Sequence, residues 1–238
     1  MVLLWLNLIS GLIIVVICLL IIIWDWKNSK LELQNIKLIV LTAFLIAISV
    51  FLNSTVKVFL NSVISAKIFE ARIGNFALVL IGFFCGGILG FLAGIAADFL
   101  GVIIYNSGTP VLFFTLTSIL WCILPYYLTK FFSHFFFSKR LIYFYLSLTY
   151  TCTLLLITGI NPIVLKYMYN LQGWWILYLP RIIKLPLDIV INSFLLIIVY
   201  RSFIKSSQLS AKIYQITNNK KSRKILKSQV NSEGANND

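Results

Sequence analysis

From Phe76 to Tyr105 the chain carries one charged side chain, Asp98, in a run that is otherwise apolar and rich in glycine. As a single helix rising 1.5 Å per residue it would be about 45 Å long, well beyond the roughly 30 Å hydrocarbon core of a bilayer. Gly86-Gly87 offers a break, so the run is expected to form a short helix followed by a second, antiparallel one. On that second helix Gly90, Gly94, Ala97 and Gly101 recur at three- and four-residue steps, which predicts a groove for close helix packing. Asp98 falls on the same side as Gly94 and Gly101. A carboxylate is costly in lipid, so it must face the bundle interior, a cavity or a ligand. The polar stretch Asn106-Ser107-Gly108-Thr109-Pro110 reads as a tight loop, and the helix after it carries Thr115 and Thr117 in its first turn.

The rest of the chain repeats the same pattern. With 60% hydrophobic and 11% charged residues it has too little charge to cover a soluble surface of this size, which implies an integral membrane protein. Long unbroken apolar runs predict helices, because barrel strands alternate with a period of two. Seven spans are expected: Leu3 to Trp24, Leu38 to about Leu52, the two within Phe76 to Tyr105, Thr115 to Phe132, Leu141 to about Ile160, and Ile182 to Tyr200. Pro125 is a candidate kink in the fifth. The first run has no basic segment before it and no small-x-small site after it, so a removable signal peptide is not expected. Asp25-Trp26-Lys27 ends it as an interface anchor.

Between the spans, Lys27 to Lys37 reads as a polar linker. The mixed segment Asn53 to Ala71, with Lys57, Lys67 and Glu70, suits a loop or an interfacial helix. Asn161 to Leu179 reads as a loop bearing Trp174, Trp175 and Tyr178. The stretch after Ser202, which includes Lys220-Lys221-Ser222-Arg223-Lys224, is expected to be a disordered basic tail attracted to anionic lipid. With no aromatic platform or fold behind it, the tail gives no grounds for a nucleic-acid partner. The organisation is thus an extra N-terminal helix (1–26), a cytoplasmic linker (27–37), a membrane domain (38–201) and a tail (202–238).

Basic residues fix the expected orientation. Lys27, Lys30, Lys37, Lys130, Lys139, Arg140 and all those from Arg201 onward fall on one side, which is therefore cytoplasmic. That places the N-terminus outside and the C-terminus inside in a multi-pass cell-membrane protein. Arg72, the Asn106–Pro110 loop and Arg181 then meet at the outer face. On the last span Arg181, Lys184 and Asp188 share one helix face, so Lys184 and Asp188 can pair with each other.

Little here suggests catalysis. Cys18, Cys85, Cys122 and Cys152 stand alone in apolar runs without ligand spacing, as buried structural thiols do. His134, the only histidine, lies in the basic connection Lys130 to Arg140. No metal cluster, Ser-His-Asp arrangement, cofactor site or G-x-x-x-x-G-K-[ST] phosphate loop is indicated.

Three segments together resemble the folate-family S component of energy-coupling factor (ECF) vitamin transporters. The first is Arg72 followed by Gly82, Gly86, Gly87 and Gly90. The second is Gly94-x-x-x-Asp98-x-x-Gly101, then Ser107-Gly108 and Phe114-Thr115-Leu116-Thr117. The third is Leu179-Pro180-Arg181-Ile182-Ile183-Lys184 with Pro186. Ala43-x-x-x-Ala47 falls where such proteins carry an A-x-x-x-A pair. The resemblance covers about Leu38 to Tyr200. The chain departs from the family in lacking a Pro between Arg72 and Pro110, in reading Val111-Leu112-Phe113-Phe114 before Thr115, and in the additional helix Leu3 to Trp24.

The resemblance implies an all-α membrane protein with a six-helix S-component bundle plus that extra N-terminal transmembrane helix. It also implies a non-enzymatic subunit that binds folate or a related pterin and docks on a transmembrane coupling subunit with two ATP-hydrolysing subunits. Asp98 would accept hydrogen bonds from the pterin edge, or else serve an internal ion pair or helix cap. Arg72 and Arg181 would hold the glutamate tail, the alternative for both being interface anchoring by snorkelling, and Lys184 would bind substrate or simply pair with Asp188. Thr115 and Thr117 would bind ligand or cap their helix. Gly90, Gly94 and Gly101 would pack helices, and Ala43 and Ala47 would meet the coupling subunit. Other readings are an S component for riboflavin or thiamine, and a membrane enzyme or assembly factor using Asp98 and Arg181.

Overall fold

The computed structural model describes residues 2–63, 74–105, 111–135, 142–169 and 173–204. Among them all regular structure is helical: α1 (Val2–Gln34), α2 (Ile36–Val63), α3 (Asn75–Phe84), α4 (Gly87–Tyr105), α5 (Leu112–Phe135), α6 (Ile142–Tyr169) and α7 (Trp174–Ile204). Six of these are long and apolar enough to cross a membrane, and only α3 is shorter. The chain is an all-α membrane protein. Arg72, the Asn106–Pro110 loop and the basic tail after Ile204 lie outside the described residues.

The expected break in the glycine-rich run is present. Cys85 caps α3 by donating its N–H to the Ile81 carbonyl, and Gly86 then adopts φ 98°, a left-handed conformation that side chains with a Cβ avoid. At ten residues, α3 extends only about 15 Å. All ten are buried, so α3 is an inner helix wrapped by α2, α4, α5 and α7. Its approach to α5 depends on Gly82, where an added Cβ would run into the Cys122 carbonyl and Pro125. Gly74, just before α3, sits in the same way against the Ser49 carbonyl of α2.

Side-chain contacts set the directions of the helices. Cys85 lies against the Leu38 carbonyl and Gly74 against Asn53, so α2 and α3 run antiparallel. Gly94 faces Ile119 and Gly87 faces Tyr126, so α4 and α5 do too. Asn7 meets Leu112 and Ile21 reaches Gly87 beside Tyr126, which sets α1 alongside α5 in the same sense. The Tyr178 hydroxyl donates to the Gly159 carbonyl (3.1 Å) and Lys166 Nζ stands 3.7 Å from the Trp174 ring centre, closing α6 and α7 into a hairpin.

Several boundaries differ from those expected. The linker predicted over Lys27 to Lys37 is helical up to Gln34, leaving Asn35 as the break before α2. The mixed segment from Asn53 stays in α2 as far as Val63. The loop predicted over Asn161 to Leu179 is mostly helix, with α6 reaching Tyr169 and α7 starting at Trp174. Pro162 and the prolines of α7 do not end their helices, since membrane helices tolerate proline where neighbouring groups satisfy the freed carbonyl. His134 likewise falls on the last turn of α5 rather than in a loop.

Candidate functional site

The α4–α5 pair brings two of the predicted site residues together. The Thr115 hydroxyl donates to Asp98 Oδ2 at 2.7 Å, a charge-assisted bond between neighbouring helices. Thr115 is buried and Asp98 is half-buried. Their meeting depends on Gly94 one turn away, where a Cβ would come within 2.5 Å of the Ile119 Cα. With only hydrogen at that position, the two backbones come close enough for a short threonine side chain to reach the carboxylate.

The glycine ladder is only partly a packing groove. Gly90 also faces α5, where an added Cβ would stand 3.4 Å from the Cys122 carbonyl, but at Gly101 none of the described residues lies within 4 Å. The register that pairs Gly94 with Ile119 and Asp98 with Thr115 puts Gly101 level with Leu112, the first residue of α5, so it sits at the end of its partner helix. Gly82 on α3 performs the packing expected of Gly101.

Thr117 behaves differently from Thr115. It is buried and donates to the Phe114 carbonyl of its own helix (2.8 Å), which turns its hydroxyl back onto the backbone. Neither threonine supplies the acceptor for the start of α5. Asn7 of α1 does, its Oδ1 accepting from the Leu112 N–H at 3.1 Å.

A second polar group lies on α7. Lys184 Nζ is 3.1 Å from Asp188 Oδ2, with side chains 12% and 18% exposed, so Lys184 is engaged by its own helix. On α6 the buried Tyr150 ring leans on Trp121 of α5 at 5.8 Å between centres. One turn beyond Asp188 on α7, Asn192 is 1% exposed and donates to the Asp188 carbonyl (2.9 Å), while its Oδ1 has no hydrogen-bond partner among the described residues. Arg181 is half-buried on the same helix.

Ala43 and Ala47 both lie on the exposed face of α2, between Val40, Phe44 and Phe51. Its opposite face, with Leu38, Thr42, Leu45, Ser49 and Val50, is buried. Among the described residues the alanines are thus not used for packing.

Three asparagines that the sequence alone does not single out complete the polar contacts. Besides Asn7, Asn53 accepts from the Gly74 N–H (2.9 Å) and its amide lies 3.5 Å from Asn75 Oδ1, tying α2 to the start of α3. An isolated amide in an apolar run is the available signal, because such a group in lipid needs a partner. None of the four cysteines is in a disulfide, and Cys85 and Cys122 are buried while Cys18 and Cys152 are half-buried.

No protein-family model, curated protein or solved structure matches the chain significantly.

Proposed function

We propose that this protein is the substrate-binding membrane subunit of an ECF-type importer, and that it takes folate or a related pterin from outside the cell. The observation that carries the proposal is the Asp98–Thr115 pair, a half-buried carboxylate held by a buried hydroxyl near the loop end of α4 and α5. A carboxylate accepts several hydrogen bonds, and two parallel ones match the amino and ring N–H groups of a pterin. Thr115 fixes the carboxylate's orientation before ligand arrives, so less ordering remains to be done on binding. Arg181, half-buried on α7, would supply the positive charge for the glutamate tail, joined by Arg72. Lys184 would contribute only if Asp188 released it.

In this proposal the Asp98 end of the bundle faces outward and the C-terminus lies in the cytoplasm, in keeping with the excess of basic residues on that side. The exposed Ala43–Ala47 face of α2 would meet a transmembrane coupling subunit that carries two ATP-hydrolysing partners. Its small side chains permit the close backbone approach that holds helices together in lipid. Purification in mild detergent followed by an absorbance scan of released small molecules tests the assignment. A pterin spectrum is expected. A flavin or thiamine spectrum would move the protein to another vitamin, and a ligand-free protein that stays inert to all three would remove the transport assignment.

A further inference from the structure

The N-terminal helix α1 leaves most of its apolar side chains exposed, yet it places one polar group on the element that carries Thr115. Asn7 Oδ1 accepts the N–H of Leu112, the first residue of α5 (3.1 Å). First-turn N–H groups have no partner within their own helix, and in lipid such a donor is costly to leave unmatched. A helix is usually capped by the residue preceding it, but Val111 has no side-chain oxygen. The cap comes instead from a residue 105 positions away.

The surroundings fit a docked contact. Gly11, one turn beyond Asn7, brings α1 close enough that an added Cβ would sit 3.4 Å from Leu112 Cδ1, and Ser10 beside it is 3% exposed. Three residues after Leu112 comes Thr115, the donor to Asp98. A shift of the α5 start would therefore move the hydroxyl that orients the carboxylate.

We infer that Asn7 is a positioning residue: α1 is a clasp whose amide sets the first turn of α5 and, through Thr115, the geometry of Asp98. Its bearing on ligand binding rests on the role proposed above for Asp98, whereas its effect on α5 does not. Hydrogen–deuterium exchange on the full-length protein in detergent reads the two separately. Asn7→Leu should speed exchange of the Leu112–Thr115 amides roughly tenfold, the size of a lost N-cap bond, with the mid-helix amides of α5 unchanged. Asn7→Asp, which keeps an acceptor, should restore protection. Gly11→Phe, which presses α1 off Leu112 with Asn7 intact, should reproduce the Asn7→Leu pattern even if that variant folds poorly. Unchanged exchange in both Asn7→Leu and Gly11→Phe would overturn the clasp. In a parent that binds folic acid, the same two variants should bind it several-fold more weakly. Full affinity despite faster exchange would show that α1 does not govern the site, while a parent that binds no folic acid would count against the proposed ligand and leave the exchange result to decide on the clasp.

Discussion

Thr115 of α5 donates its hydroxyl to the Asp98 carboxylate of α4 at 2.7 Å, so the charge in the glycine-rich run is anchored by its nearest neighbouring helix. The bond has two separable consequences, one for stability and one for binding. Thr115→Val should lower stability by about 1 kcal/mol, the usual scale of an interhelical hydrogen bond in lipid. Asp98→Asn keeps an oxygen that can accept from Thr115 and should leave stability nearly intact, while weakening pterin binding by roughly 1.5–3 kcal/mol through loss of the charge. Thermal unfolding and ligand titration on the two variants check this. An Asp98→Asn protein that folds and binds like the parent would make Asp98 structural.

Gly94 and Gly101 should respond in opposite ways to the same change. A Cβ at Gly94 meets the Ile119 backbone at 2.5 Å, and backbone cannot swing aside, so Gly94→Ala should cost about 1–3 kcal/mol by overpacking. Gly101→Ala meets none of the described residues and should be neutral or stabilising by up to about 1 kcal/mol. Equal losses of melting temperature at both positions would contradict the α4–α5 register.

Much of this architecture is legible in the residues. Asp98 among glycines marks an inward-facing helix, Gly86-Gly87 marks the break between α3 and α4, and the apolar runs locate the six long spans. The ends of helices are harder to read. Proline and polar residues mark a boundary in water, but in α6 and α7 neighbouring helices let the chain continue through them. The partner of Asp98 is not readable either. Thr115 and Thr117 look alike in sequence, and only the approach at Gly94 decides that one reaches across while the other bonds Phe114. The partner of Asn7 is unreadable for a simpler reason, since nothing local links Asn7 to Leu112.

The ion pair on α7 gives a third expectation. Lys184→Met leaves Asp188 with one charge and no ammonium in a poorly hydrated place, and should destabilise by about 2–3 kcal/mol, somewhat below the cost for a fully buried pair. The double variant Lys184→Met/Asp188→Leu removes both charges and should recover most of that loss. Unfolding midpoints decide it: a double variant worse than the single would mean that Asp188 has a stronger partner than Lys184.

Ala43 and Ala47 test the partner face. Both are exposed on α2, so Ala43→Trp/Ala47→Trp adds bulk without disturbing the packed core. The double variant should fold and bind ligand like the parent, yet fail to co-purify with coupling and ATP-hydrolysing subunits. Loss of ligand binding with the partners retained would place docking elsewhere, with α1 as the next surface to examine.

The most direct measurement is titration calorimetry of folic acid, with riboflavin and thiamine as comparisons, on the purified full-length protein in detergent without nucleotide. The proposed function predicts saturable, one-to-one heat with the folate alone, reduced in Asp98→Asn. Saturable heat with riboflavin or thiamine and none with folate would contradict the pterin assignment. Silence with all three, from a protein shown to be folded, would contradict vitamin binding itself.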